Sequence, residues 1–219
     1  MTDTRIAVQL DFDGTVTIED VSFLLLDTYV GSRWRKYLEE YTSGRIPVGT
    51  FNKKVFGMMK ADRQTMTDLV LNSARVKIRP GLRELIEYCN RKDFKVVIVS
   101  NGLIFYIEAI LESLGINGLE IYAAENVFYP GGMKVRYIGP DGKELEVGFK
   151  EAYTEMLRKK RFNVIYIGNG SSDIYPSRRA NHVFATADLL ERCREEKLEC
   201  IPFKDFHDVI RGLEALHLN

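Results

Sequence analysis

Ile6-Ala7-Val8-Gln9-Leu10 runs directly into Asp11-Phe12-Asp13-Gly14-Thr15-Val16-Thr17, and this junction decides how the chain is read. The first five residues are an apolar run of the kind that fills a buried strand. Carboxylates at i and i+2 then leave the strand on one side, where both can converge on one metal and one substrate. Gly14 lets the backbone turn sharply after them. Phosphoryl chemistry belongs at such a strand end.

Outward from the junction, Glu19 to Ala74 holds no convincing strand but four helix-like runs, 21–29, 32–41, 50–60 and 64–73. Gly31, Ser43-Gly44 and Pro47 punctuate them, and Asp20 or Ser32 suits an N-cap. From Arg79 the grammar becomes α/β. Pro80-Gly81 opens an amphipathic helix to Arg91, Lys95 to Ser100 (KVVIVS) is a buried-strand run, and Leu103 to Leu114 is helical. Between Glu120 and Phe149, turn signals at Pro130-Gly131-Gly132 and Pro140-Asp141-Gly142 mark a β-hairpin excursion. Lys150 to Arg161 is helical, Asn163 to Gly168 and His182 to Thr186 are strands, and Ala187 to Leu198 and Phe206 to Leu216 are helices. The expected fold is α/β: a Rossmann-like parallel-sheet core (1–18 and 77–219) with a helical cap (19–76) inserted after the first strand and the hairpin excursion before Lys150.

Composition narrows the function classes. With 219 residues, 45% of them hydrophobic, the chain can bury a sizeable core, and disorder is excluded. Lys plus Arg number 31 and Asp plus Glu 31, so no basic field attracts nucleic acid or anionic membranes. Cys89, Cys193 and Cys200 are too few and too scattered for a disulfide framework, and none forms a CxxC pair. No signal-peptide pattern and no apolar run approaching about 18 residues is present, which points to the cytoplasm. The partner expected is a small phosphorylated metabolite, and the sequence leaves the oligomeric state open.

Three strand ends carry polar groups: Asp11 and Asp13, then Ser100-Asn101-Gly102, then Gly168-Asn169-Gly170-Ser171-Ser172-Asp173. Ligands of open α/β sheets bind at the carboxyl ends of strands. Gly102 and Gly170 lead toward helices, where backbone N–H groups can face an anion. With Lys150 at a helix start between the second and third features, the set supplies a nucleophile, a proton carrier, phosphate ligands and metal ligands.

This spacing resembles the haloacid-dehalogenase-like superfamily, whose four motifs correspond to DFDGT at Asp11–Thr15, VSNG at Val99–Gly102, Lys150, and GNGSSD at Gly168–Asp173. The helical insertion and the hairpin before Lys150 are similar to the phosphoserine-phosphatase-like branch. Asp20 nine residues after Asp11, the IRPGLRELIEYC run and the tail ADLLERCREEKLECIPFKDF look most like the methionine-salvage phosphatases within it, which act on 2-hydroxy-3-keto-5-methylthiopentenyl-1-phosphate. The resemblance implies a Mg²⁺-dependent phosphatase. Asp11 would become an aspartyl-phosphate, and Asp13 would protonate the leaving alcohol, then activate water, while lending its backbone carbonyl to the metal. Ser100 and Lys150 would hold the phosphoryl oxygens beside Asn101 and Gly102, and Asp11, Asp13, Asn169 and Asp173 would bind Mg²⁺.

Asn169 departs from the family pattern, which has GDGxxD and a charged ligand at that point. Three explanations compete: a natural variant in which Asp173 serves as the charged ligand, a protein of weakened metal affinity and activity, or a substitution introduced to trap a substrate. The rival functions are accordingly a weakened homologue that binds a phosphorylated ligand, and a phosphotransferase or mutase of the same fold. Asp20 suits either an N-cap or a substrate contact. Phe23, Trp34, Phe51, Phe56, Met58 and Met59 recur at near-helical spacing and read as cap core. Arg33, Arg35 and Arg45 are the cap cations able by type to meet a second acidic group, and the histidines receive no role.

Overall fold

The structure, a computed structural model, describes residues 5–218; the first four residues of the expected core, and Asn219, lie outside it. The apolar N-terminal run becomes the central strand of a seven-stranded sheet. β1 (Arg5–Leu10) pairs in parallel with β2 (Lys95–Leu103) on one side and β5 (Phe162–Gly168) on the other. β3 (Glu120–Tyr129) extends the sheet beyond β2, while β6 (His182–Ala185) and β7 (Ile201–Pro202) extend it beyond β5. β4 (Gly132–Arg136) lies antiparallel at the edge, giving the order β4-β3-β2-β1-β5-β6-β7. Ile6 to Leu10 are buried to the last residue, as a parallel strand covered on both faces requires. The Rossmann-like α/β core follows from this order, because the chain leaves β1 first toward β2 and later returns to its other side with β5. The switch point therefore falls at the carboxyl ends of β1, β2 and β5.

Four helices fill the insertion: α1 (Val21–Tyr29), α2 (Arg35–Thr42), α3 (Val48–Phe56) and α4 (Arg63–Asn72). The chain enters and leaves this insertion side by side, through the Thr17↔Ile78 bridge and the Ile18 N–H bond to Lys77 O (2.8 Å). Asp20 caps α1 by accepting from Phe23 N at 3.0 Å. Ser32 caps nothing; it falls inside a 3₁₀ turn, Gly31–Trp34, that precedes α2. Trp34 is fully buried, 4.8 Å from the Phe23 ring, with its indole N–H donated to Asp27 at 3.1 Å, and Phe51, Phe56 and Met59 are buried as well. The cap aromatics are core, as their spacing predicts.

The core helices are α5 (Leu82–Arg91), α6 (Ile104–Ser113), α7 (Phe149–Lys159), the short α8 (Ile174–Ser177), α9 (Ala187–Glu196) and α10 (Phe206–Ala215). Three elements differ from expectation. The hairpin excursion is not separate from the main sheet: Glu120 to Ala124 pair in parallel with β2, and only Glu125 to Tyr129 turn to pair with β4. β2 also runs three residues past Ser100, with a register shift between Val99 and Leu103, so Asn101 and Gly102 belong to an irregular strand end. β7, two residues long, had no sequence signal.

Because Trp34 is a fully buried large side chain of the cap, Trp34→Ala should destabilise the protein by about 3–5 kcal/mol in denaturant unfolding. A loss under 1 kcal/mol would show that the cap does not unfold with the core.

Candidate active site

β1, β2, β5 and the start of α7 bring their ends together at the switch point. The Asp11 N–H continues the β1–β5 ladder onto Ile167 O (3.0 Å), which sets Asp11 beside Gly168 and Asn169. α7 delivers Lys150 from its first turn. Buried Gln9, the one polar residue in the apolar run, ties that turn to β1 by donating to Lys150 O at 3.3 Å and accepting from Thr154 at 2.9 Å.

Lys150 is 4% exposed and stands between two carboxylates, with Nζ 2.7 Å from Asp11 Oδ1 and 2.6 Å from Asp173 Oδ1. Burial works against its charge, but Asp11 and Asp173 outweigh it and hold the ammonium protonated above its ordinary range. Lys134, Lys143 and Lys159 are exposed, so Lys150 is the ammonium of the site.

Asp173 is placed as the anchor of Lys150. Its Oδ1 also accepts from Tyr166 (2.6 Å), and its Oδ2 accepts from the backbone N–H groups of Asn169 (3.0 Å) and Gly170 (2.8 Å). The expectation that Asp173 binds metal meets a physical obstacle: both its oxygens are occupied by donors. Burial raises its pKa, yet Lys150, Tyr166 and the Gly170 N–H outweigh burial and keep the group below the usual carboxylate range.

Asp11, 4% exposed, lacks that support. Burial, then the neighbouring Asp173, push it up to about 8 despite Lys150. Asp13 is partly buried and is likewise pushed to about 8 by burial and by Asp20. Its Oδ1 accepts from Val21 N (2.9 Å) and its Oδ2 from Tyr106 Oη (2.5 Å). Burial raises Asp20 to about 6 against the Phe23 N–H, with Asp11 adding to the rise. The N-cap and the site share one residue.

Ser100, 1% exposed, accepts from Gly102 N at 3.0 Å and so keeps its hydroxyl proton for another acceptor. The N–H groups of Gly102 and Gly170, expected to face an anion, are thus given to Ser100 and Asp173. Asn101 offers its carbonyl to Asn52 of the cap (3.0 Å) and to Tyr137 just after β4 (2.6 Å), accepting from both. Arg33, Arg35 and Arg45 are all exposed, and Arg35 pairs with Asp27 at 2.8 Å.

Asn169 approaches the turn after Asp13. Thr15 donates to its Oδ1 at 2.8 Å, and a Cβ on Gly14 would fall 2.2 Å from its amide nitrogen. Gly14 also has φ +75°, so it is required twice. Arg79, which lies in the IRPGLRELIEYC run but receives no role of its own from the sequence, holds this turn by donating to Gly14 O (2.7 Å), Thr15 O (2.7 Å) and Lys204 O (2.6 Å). Tyr166 and Tyr106 also escaped the sequence reading, since an aromatic in an apolar run signals only packing. Gln9 could have been found, as a polar residue inside a buried strand.

Among the described residues no group of three or more His, Cys, Asp or Glu side chains is arranged to hold a metal. Mg²⁺ nevertheless fits. Lys150 pairs with Asp11 and Asp173 alone, and burial first, then the neighbouring carboxylates, raises Asp11 and Asp13. The oxygens left over, on Asp11, the Asp13 carbonyl and the Asn169 amide, are hard donors suited to such a cation.

Comparison with known proteins agrees with this geometry. The sequence profile of the haloacid dehalogenase-like hydrolases matches residues 8–175. The chain is 26% identical to the 2-hydroxy-3-keto-5-methylthiopentenyl-1-phosphate phosphatase of Brevibacillus brevis (strain 47), over 97% of this chain and 96% of that one. It is 28% identical to Pdp3-interacting factor 1 of Schizosaccharomyces pombe, over 94% and 93%. A substrate-bound phosphoserine phosphatase superposes with a TM-score of 0.71 at 18% identity, covering 95% of this chain and 98% of that one, and so shares the fold.

Removing one partner of a buried ion cluster leaves the rest uncompensated. Lys150→Met should therefore cost about 3–5 kcal/mol in denaturant unfolding near neutral pH. A change within 1 kcal/mol would show that Asp11 and Asp173 do not depend on the ammonium.

Proposed function

Since the chain belongs to the haloacid dehalogenase-like hydrolase family and is a phosphoric monoester hydrolase, we propose that it is a Mg²⁺-dependent phosphatase of a small phosphorylated metabolite, working through an aspartyl-phosphate on Asp11. The observation that carries this reading is the buried Lys150 bridging Asp11 and Asp173 at the end of the central strand. An ammonium held charged beside a carboxylate is the arrangement a phosphoryl group needs to approach that carboxylate.

Asp11 attacks phosphorus while Asp13 protonates the leaving oxygen; Asp13 then takes a proton from the water that hydrolyses the intermediate. Ser100 donates its free hydroxyl proton to a phosphoryl oxygen, and Lys150 offsets the charge spreading over the others. Asp11, the Asp13 carbonyl and Asn169 would hold Mg²⁺, which supplies charge neutralisation between carboxylate and phosphate. Asp173 acts through Lys150. The cap supports a small substrate, because α3 is seated on the strand end through Asn52, which is 6% exposed. No helix among the described residues is long and apolar enough to cross a membrane. Work on a metabolite in the cytoplasm accords with that.

Asn169 favours a second reading, a homologue of weakened turnover that binds a phosphorylated ligand, because an amide brings the cation no charge. The two separate in one assay. With Mg²⁺ the protein should release phosphate from p-nitrophenyl phosphate, and Asp11→Asn should reduce release to background. Turnover no higher than that of Asp11→Asn sinks the enzyme reading and leaves the binding one.

Asn169→Asp should lower the Mg²⁺ concentration for half-maximal activity by roughly tenfold or more, since ligand charge sets affinity for hard cations. An unchanged Mg²⁺ titration places residue 169 away from the cation.

A further inference from the structure

Tyr106 is fully buried on α6 among Phe105, Ile107, Ile110 and Leu111, where a phenylalanine would pack equally well. Its hydroxyl is the exception in that face. It lies 2.5 Å from Asp13 Oδ2 and 2.8 Å from the hydroxyl of Ser22, which is 7% exposed on α1. Tyr106 donates its one hydroxyl proton to Asp13, so in the other bond Ser22 is the donor and Tyr106 the acceptor. The Asp13 carboxyl is thereby gripped at both oxygens, by the phenol on one side and by the Val21 N–H (2.9 Å) on the other. Gly102 makes room for the contact: a Cβ there would fall 2.0 Å from Tyr106 Oη and 2.2 Å from Asp13 Oδ2. One residue of β2, one helix of the core and the first helix of the cap thus converge on a single carboxyl group.

We propose that Tyr106 is a positioning residue for leaving-group departure, fixing the Asp13 carboxyl toward the ester oxygen and stabilising the carboxylate that remains once its proton has been delivered. The inference rests on the phosphatase reading above. In the step concerned, the Asp11 oxygen–phosphorus bond forms and the phosphorus–ester oxygen bond breaks. The Asp13 O–H bond breaks as its proton moves to the departing oxygen. The negative charge left on Asp13 then meets two donors already in place, so no group has to reorganise as the charge develops. Ser22 keeps the phenol pointing at Asp13 by occupying its oxygen as a donor.

General-acid help matters in proportion to how poor the leaving group is, which separates this role from a packing role. The test is kcat/KM, with Mg²⁺ present, for p-nitrophenyl, phenyl and p-methoxyphenyl phosphate, whose phenols become progressively weaker acids. Tyr106→Phe should lose roughly threefold or less on the p-nitrophenyl ester and roughly 30-fold or more on the p-methoxyphenyl ester. Ser22→Ala should tilt the series the same way by a smaller amount. A loss equal on all three esters, or no loss, overturns the inference, and if Tyr106→Phe melts far below the wild type, a flat series for Ser22→Ala overturns it instead. Failure of the underlying reading looks different: the wild type then hydrolyses none of the esters above the Asp11→Asn background.

Discussion

Everything at the switch point depends on one ammonium shared by two carboxylates. Lys150 cannot neutralise both Asp11 and Asp173, so the surrounding donors decide which of them carries its charge at low cost. Asp173 has the Tyr166 hydroxyl and two backbone N–H groups besides Lys150, and it is held below the ordinary carboxylate range. Asp11 has no comparable set and is driven upward. The imbalance is therefore concentrated on the carboxylate at the end of the central strand, where positive charge would relieve it. The fold serves this arrangement directly. β1 supplies Asp11, α7 supplies Lys150, and the turn after β5 supplies Asp173, so losing the register of any one would strand a buried charge.

The cap is seated by fewer and better bonds than its charged contacts suggest. Lys53 pairs with Glu144 (2.6 Å) and Glu146 (2.7 Å), but these glutamates are 43% and 63% exposed, and such pairs contribute little. Asn52 is nearly buried and gives both amide hydrogens, one to Asn101 O at 3.0 Å and one to Tyr137 Oη at 2.6 Å. Breaking those bonds while the cap stays down would leave buried polar groups unpaired. The seating of α3 over the second strand end is thus set by an uncharged network, whereas the ion pairs border it.

The local parts of this architecture were legible in the sequence because their causes are local. Asp20 lies three residues before the N–H it caps, the apolar run at Ile6–Leu10 declares a doubly covered strand, and the four insertion helices follow their own periodicity. What was not legible depends on residues distant in sequence. β3 reads as half of a hairpin because its second half is one, while its parallel pairing with β2 depends on the crossover through α6. Tyr106 meets Asp13 across 93 positions, and Thr15 meets Asn169 across 154. Arg79 stands in the IRPGLRELIEYC run, but its role there is not displayed, since its targets are backbone carbonyls that any sequence possesses. Asp173 shows the opposite limit. A carboxylate in the right motif suggested a metal ligand, and the donors that exhaust its oxygens include two backbone N–H groups, which sequence does not display.

Asn169 follows from the same charge balance. A carboxylate at this position would be a fifth acid beside Asp11, Asp13, Asp20 and Asp173, with Lys150 still the one buried ammonium of the cluster. Each added negative charge raises the cost of the site without a cation and increases its hold on one. The amide takes the other end of that trade. It keeps an oxygen for a hard cation, accepts from Thr15, and packs against Gly14 without adding to the repulsion. On the phosphatase reading proposed above, metal affinity would then rest on Asp11 and the backbone carbonyl of Asp13, which ties it to the same carboxylate that the Lys150 cluster leaves incompletely neutralised.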